Sequence, residues 1–520
     1  MAMNSSPAKF ISIFNDVLGP VMRGQSSSHT AGSYFIGKMA RELLGEPPSA
    51  AKFIFHPDGS YSRVFQAQGS DLAFAAALLD WTLTDERFPQ ALKVAHEKNI
   101  QLEFSVSPFP EADHPNSVKI LLKSKKGKSL SLVAKSIGGG AIKIVKLNNW
   151  PVGLDGKNHV VIIPGQKADS RKIQAIIQAY PGEIDLKERE GQALLVTKFQ
   201  QKPDQALVRE LRSLSLGNQL WMAPPLVFPQ KGEPIFSSGE EIILQATKRS
   251  LSLGKTALTY EASLLGLSEE ECYQEMKKRW QVMKEAITAG FEEDKVHLTL
   301  LEPSAPKIKQ AIDSQAVAIG GPHARAAARA MAVMHTANSL GRVCAAPTGG
   351  SAGVIPGVVA TLAEEKNLDE TQIVLALFAA GAVGLIVAHR ATFAAEIAGC
   401  QVEIGAAGAM GAAAVVEAAG GNCGQALDAA AISLQNTMGS PCDLVQERCE
   451  IPCHTRNAVA AASAFVCADI ILGGYQNPIP LDETIDAVLA SGQMLPPELR
   501  CTSLGGLAVT PSALKLKKKK

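Results

Sequence analysis

From about residue 236 onward the sequence carries helical apolar spacing, and over residues 324–472 alanine and glycine dominate. Small side chains let helices approach closely, so this stretch is expected to build a compact helical core with thin walls. Such walls bring backbone amides near a bound ligand, above all at the interruptions Pro347-Thr348-Gly349-Gly350, 405–411 and Gly439-Ser440-Pro441. The longest apolar run, 373–388, is interrupted by glycines and ends in His389-Arg390. It is short for a membrane span and reads as a buried helix.

The chain has 520 residues, too many for one ordinary core, which points to two or three domains. Its 51 basic and 50 acidic residues produce no global field that would favour nucleic acid or an anionic membrane. A small, locally recognised substrate is the better expectation. The first nine residues lack the basic segment and apolar core of a signal peptide, so a reducing cytoplasm is the expected compartment. There, nine cysteines read as thiols or metal ligands rather than disulfides.

Residues 1–150 mix a helical pattern at 31–44 with strand patterns at 53–55, 101–106 and 118–122, which predicts an α+β domain. Within 155–228 the pattern is strand (159–163), helix (170–179), two strands (183–188, 193–199), helix (204–213) and strand (220–227). That βαββαβ order fits a ferredoxin-like fold. The four prolines of 224–234 mark a linker. Residues 236–512 form the third, all-α domain, and 513–520 a solvated basic tail. The fold class is therefore α+β multidomain.

Three groups of residues carry candidate chemistry. Ser26-Ser27-Ser28-His29-Thr30 precedes a helical pattern, where hydroxyls and free helix-terminal amides can hold a carboxylate or phosphate, and His29 adds a proton-transfer group. The same pattern also suits a polar helix cap with an incidental histidine. Ser136-Ile137-Gly138-Gly139-Gly140 suits either an anion-binding loop or a tight turn. Cys400, Cys442 and Cys453 are separated by spacings that match no zinc-finger or ferredoxin pattern, so only the fold can assemble them. On spacing alone, buried inert cysteines remain an open reading, and Cys449 and Cys453 suggest a different ligand pair.

Together these motifs resemble the iron-sulfur L-serine dehydratases (L-serine ammonia-lyases), with two units that are sometimes separate subunits fused in one chain. Similarity to the smaller unit rests on Ser26-Ser27-Ser28-His29-Thr30, Asp113-His114-Pro115-Asn116 and Ser136-Ile137-Gly138-Gly139-Gly140. Similarity to the larger unit rests on Ala346-Pro347-Thr348-Gly349-Gly350-Ser351-Ala352-Gly353, Gly399-Cys400-Gln401, Pro452-Cys453-His454-Thr455-Arg456-Asn457-Ala458 and Gly505-Gly506-Leu507-Ala508. The segment between them looks like an ACT regulatory domain. The resemblance implies that Cys400, Cys442 and Cys453 bind a [4Fe-4S] cluster with one iron open to substrate, without pyridoxal phosphate. It implies that Ser26, Ser27, Ser28, Thr30, Thr348, Gly349, Gly350 and Ser351 hold the serine carboxylate. A homo-oligomer, most simply a dimer, is the expected assembly.

The chain departs from the family pattern where chemistry is expected. A Gly-His-Gly-Thr-Asp type motif is replaced by Ala67-Gln68-Gly69-Ser70-Asp71, and glutamine cannot serve as a base near neutral pH, which leaves His29 as the leading base. An Asn-Ala-Ser-Ile-Ser-Gly segment becomes Arg390-Ala391-Thr392-Phe393-Ala394-Ala395, so Arg390 is a candidate carboxylate clamp. After Cys442 the usual Asp-Pro-Val-Ala-Gly becomes Asp443-Leu444-Val445-Gln446-Glu447, followed by an extra Cys449. Some relatives end in a cysteine that caps the open iron, whereas this chain ends in lysines and has Cys501 nearby. These departures motivate two alternatives to serine dehydration: the same chemistry on L-threonine, L-cysteine or another hydroxy acid, or a catalytically weak amino-acid sensor.

Overall fold

The computed structural model describes residues 10–516, so the first nine residues and the last four lysines of the basic tail lie outside it. Two compact units are present, one made of residues 32–137 and 141–231, the other of the residues up to Ala31, Gly138–Gly140 and residues 232 onward.

The first unit contains two sheets. Six strands run in the order Gln101–Val106, Pro48–Phe55, Ser117–Ser124, Ser129–Ser136, Ile142–Leu147, Trp150–Leu154, all neighbours antiparallel except the first pair. Alternation explains the faces: in Ser117–Ser124, Val118, Ile120 and Leu122 are buried while Leu121 and Lys123 are exposed. Phe53 packs on Phe74 of the Ser70–Leu78 helix at 4.3 Å between ring centroids and stacks on Phe104 at 5.0 Å.

The second sheet has the βαββαβ order expected for residues 155–228. Its strands lie in the order Trp221–Ala223, His159–Gln166, Gln192–Phe199, Gly182–Arg189, all antiparallel. The helices Ser170–Ile177 and Gln205–Leu214 bury Ile173, Ile177, Leu207 and Leu211 against Val161, Ile163 and Leu195. This is the ferredoxin-like arrangement.

The other unit is helical. Glu370–Arg390 and Cys453–Leu472 are each long and apolar enough to cross a membrane, but the first is buried almost throughout Val374–Val387. Small residues permit the packing: a Cβ at Gly290 would fall 1.7 Å from the Ala332 carbonyl oxygen, so the Glu269–Phe291 and Gly321–Asn338 helices meet backbone to backbone.

Two expectations need correction here. Residues 10–31 do not join the α+β domain, because Ile13, Phe14, Val17 and Leu18 are fully buried in the helical unit, where Phe14 packs on Phe378 at 6.0 Å. The helical unit is also not purely α, since Val21–Arg23 pairs antiparallel with Arg342–Cys344. A local apolar pattern does not reveal which core it will join.

What fixes the N-terminal segment is a buried carboxylate. Glu261, fully buried, accepts from Ser12 Oγ (2.5 Å), Ile13 N (2.8 Å) and Phe14 N (3.0 Å) at the start of the Ile13–Val17 turn. Arg279 takes the other end, donating to the Leu18 and Phe14 carbonyls at 2.5 and 3.1 Å, with its guanidinium 4.3 Å over the Phe14 ring.

Burial pushes the Glu261 carboxyl up to about 7, against the hydrogen bonds from Ser12, Phe14 and Ile13 and the charge of Arg279. Its folded value lies above its unfolded one, so the folded state binds the extra proton and stability falls as pH rises through this window, levelling above about 7. Urea midpoints measured from pH 5 to 8 should show that decline in the parent, and Glu261→Gln should flatten it. Glu261→Ala, which orphans three donors, should cost at least about 3 kcal/mol at any pH.

Candidate active site

The helical unit brings the sequence motifs together through a small set of polar side chains. Ser27 and Gly349 touch directly: Gly349 N donates to Ser27 Oγ at 3.2 Å, and a Cβ on Gly349 would fall 2.9 Å from Ser27 N. The Thr348 and Ser351 hydroxyls hold their own turn, each accepting from the other's backbone N–H at 3.2 Å. Ser26, Ser27, Ser28 and Thr30 are buried beside them. Gly138, Gly139 and Gly140 all have positive φ (99, 61 and 95°) and belong to this unit; a Cβ on Gly138 would sit 2.9 Å from Ala394 N.

His29 is 1% exposed. Its Nδ1 lies 3.0 Å from Ser26 Oγ and 3.9 Å from Glu396 Oε1. Burial lowers the imidazole below 6.5, and the Glu396 charge pulls it partly back, so the neutral ring dominates at pH 7.

Five sulfurs gather below. Cys442 lies within hydrogen-bonding reach of both Cys400 and Cys501, and Cys449 within reach of Cys453. The charge of Cys400 acts on Cys453, and that of Cys501 on Cys449. All five are buried free thiols. Cys400 is held below the ordinary thiol range: Cys442 donates to it, and the Arg456 guanidinium, 3.6 Å from its sulfur, reinforces that against burial. Cys442 is correspondingly held well above the ordinary thiol range by Cys400, Cys501 and burial. Cys423, by contrast, is raised to about 12 by burial and then by Glu417, remote from this group.

The residues flanking the cysteines explain how sulfurs scattered from Cys400 to Cys501 are held in register. Arg456 and Asn457 follow Cys453 by three and four residues and so share its helix face. Arg456 ion-pairs with Asp443 at 3.0 Å and donates to the Pro441 carbonyl at 2.8 Å, fixing both neighbours of Cys442. Asn457 donates to the Gly350 carbonyl at 2.8 Å and accepts from Gly353 N at 3.1 Å, stapling the glycine loop to the cysteine helix. Gln401 accepts from Gly439 N at 2.9 Å and Ser491 Oγ at 2.8 Å. Asp443 also accepts from Leu507 N at 2.9 Å, which ties the Gly505-Gly506-Leu507 motif to the same place.

Two acidic residues escaped the sequence reading. Glu396 and Glu403 flank Cys400 four residues before and three after, and are the acidic residues of an otherwise small and apolar stretch; that isolation was the available signal. Glu403 lies across the glycine loop, where a Cβ on Gly350 would come within 2.7 Å of its Oε1. Burial, then the Cys400 charge, raises Glu403 well above the carboxylate range, against a hydrogen bond from Thr348.

Arg390 does not reach this group. Its guanidinium is held by Asp486 through Nε (3.0 Å) and Nη2, and by the Asp482 carbonyl at 3.2 Å. An ion pair with a residue 96 positions away was invisible in the local motif. Gln68 is buried in the other unit, just before the Ser70–Leu78 helix.

Among the described residues no three His, Cys, Asp or Glu side chains close on one point as ligands of a single metal ion would.

A family model described as serine dehydratase alpha chain matches residues 238–508. The chain is 36% identical over 285 residues to a probable L-serine dehydratase alpha chain of Bacillus subtilis, covering 55% of this chain and 95% of that protein. It is 35% identical over 213 residues to a probable L-serine dehydratase beta chain of the same organism, covering 40% of this chain and 94% of that one. An L-serine dehydratase alpha chain of Peptoniphilus asaccharolyticus is 32% identical over 285 residues, covering 55% and 98%.

Replacing Asn457 by leucine leaves the Gly350 carbonyl and the Gly353 N–H buried without their partner. Chemical denaturation should register a loss of roughly 3 kcal/mol, whereas Asn436→Leu, whose side chain donates only to a carbonyl of its own helix, should cost far less.

Proposed function

The chain belongs to the L-serine dehydratase family, and from that membership we propose that it is an L-serine ammonia-lyase whose alpha- and beta-type units are fused, converting L-serine to pyruvate and ammonia without pyridoxal phosphate. The observation that carries this reading is the gathering of five buried thiols beside a buried histidine and a hydroxyl-rich loop junction within one unit.

The donor set fits a [4Fe-4S] cluster: Cys400, Cys442 and Cys453 supply soft thiolates, and Arg456 supplies a cation to offset their charge. When bound, such a cluster provides Lewis acidity toward the substrate β-hydroxyl. Everything else is work for this chain's own residues. In this reading the serine carboxylate binds at the Ser27–Gly349 contact, where it would take over Gly349 N from Ser27 Oγ, with Ser26, Ser28 and Thr30 on one side and Thr348, Gly350 and Ser351 on the other. His29, neutral at pH 7, accepts the Cα proton. Loss of the β-hydroxyl as water gives 2-aminoacrylate, which tautomerises and takes up one water to release ammonia and pyruvate. Arg390, spent on Asp486, is left out of the pocket.

In this reading the βαββαβ segment is an ACT-type module, the assembly is a homodimer, and the compartment is the cytoplasm. Gln68 is an internal residue of its unit, and its substitution for the family histidine leaves proton transfer to His29.

Anaerobic reconstitution with iron and sulfide should give a brown protein whose absorption changes on adding serine. Cys400→Ser, Cys442→Ser or Cys453→Ser should each abolish the colour and the turnover, while Cys423→Ser keeps both; colour retained in all three variants would end the cluster reading. His29→Gln should lower kcat by about 10²–10⁴ with the cluster intact. Because burial lowers His29 and the base must be neutral, kcat/KM should climb to its plateau below pH 6.5; an acid limb centred above 7 contradicts His29. Turnover of threonine or cysteine in preference to serine would select the altered-substrate alternative, and binding without turnover the sensor.

A further inference from the structure

We infer that Glu396 is the positioning residue of the base, holding the His29 ring through its Nδ1 side together with Ser26 so that proton transfer to the imidazole can occur. The inference rests on the reading of His29 as base.

The geometry is specific. Glu396 is 4% exposed and sits on the short Ala395–Ala398 helix, immediately before the Cys400 turn. Its Oε1 is 3.9 Å from His29 Nδ1, and Ser26 Oγ is 3.0 Å from the same nitrogen. Ser26 is itself oriented by the local backbone, accepting from His29 N at 3.3 Å through its hydroxyl. A buried carboxylate beside one ring nitrogen does two things. Its charge at 3.9 Å favours a proton on the Nδ1 side of the ring that Ser26 orients at 3.0 Å, and it stabilises the imidazolium that forms when the ring takes the Cα proton. In a site this dry, an imidazole alone is held neutral by burial and is a weak base. The adjacent carboxylate opposes that penalty.

Other charged groups act on the pair at one remove. Among the described residues Glu396 is the charge acting on His29, and Cys400, Glu396 and Arg456 act on Glu403. The balance in the elimination is simple. The Cα–H electron pair becomes the new C–C π bond, the β-hydroxyl departs with its bonding pair, and the proton passes to His29, with no oxidant or reductant involved.

The test is the pH profile of kcat for Glu396→Gln in the reconstituted full-length protein, with cluster content followed by visible absorption. Removing the carboxylate should shift the acid limb to lower pH and lower the plateau kcat by about 10–100-fold, with KM for serine changed less than about threefold. Glu396→Asp should recover part of both, and carries the test if the glutamine variant does not fold. A superimposable pH profile, or a change confined to KM, overturns the positioning role. The parent reading fails separately: a His29→Gln enzyme with parental kcat and profile removes His29 as base whatever Glu396→Gln does. An inactive His29→Gln enzyme beside an unshifted Glu396→Gln profile sinks only the role of Glu396.

Discussion

The candidate site depends on a buried carboxyl group that performs no chemistry. Glu261 gathers three donors from the first turn of the described chain, and Arg279 gathers the carbonyls that follow. Burying a carboxylate and a guanidinium is costly unless their hydrogen bonds are well satisfied, and here they are. The result is that Phe10–Ala31 is threaded into a helical unit that begins again more than 200 residues later. Ser26 to Thr30 reach the Thr348–Ser351 loop through that anchorage and through the pairing of Val21–Arg23 with Arg342–Cys344. The same device recurs at Glu450, which accepts from Thr299, Leu300 and Leu301 N at 2.7, 2.8 and 2.9 Å just before the cysteine helix. Both buried acids do what a helix or strand would otherwise do for isolated backbone donors.

A second principle is economy of helix face. Cys453, Arg456 and Asn457 project from adjacent turns of one helix, so a single rigid rod sets the third sulfur, the cation beside the first, and the glycine loop. Small residues allow it. Side chains larger than glycine at 350 would strike Glu403, and at 399, where φ is +75°, the Ser440 carbonyl.

Much of this was legible from the amino acids. The βαββαβ segment was readable because its helices are amphipathic and its strands short and apolar, and the observed bounds lie within a few residues of the patterns. The strands Ile142–Leu147 and Trp150–Leu154 were not read, since lysines interleave the apolar positions of the first and a proline and a glycine interrupt the second. The membership of residues 10–31 was hidden for a different reason: an apolar turn carries no address, and its destination is decided by Glu261 and Phe378, far along the chain. Arg390 shows the converse. Its guanidinium looked available because the aspartate that takes it lies 96 residues further along the chain. The three cysteines were recognised through resemblance to a family, not through spacing, and the carboxylates beside Cys400 were passed over although their isolation in an apolar stretch set them apart.

The three-glycine strap at 138–140 and the threaded N-terminal segment mean that the helical unit is not a contiguous stretch of the gene. A polypeptide starting at residue 232 would possess every sulfur ligand candidate and lack the histidine, the serines and the strap. Covalent continuity through residues 224–234 therefore guarantees one complement of each half per molecule and keeps their local concentration high regardless of expression level. Two independently synthesised polypeptides would have to recover that pairing by diffusion and affinity.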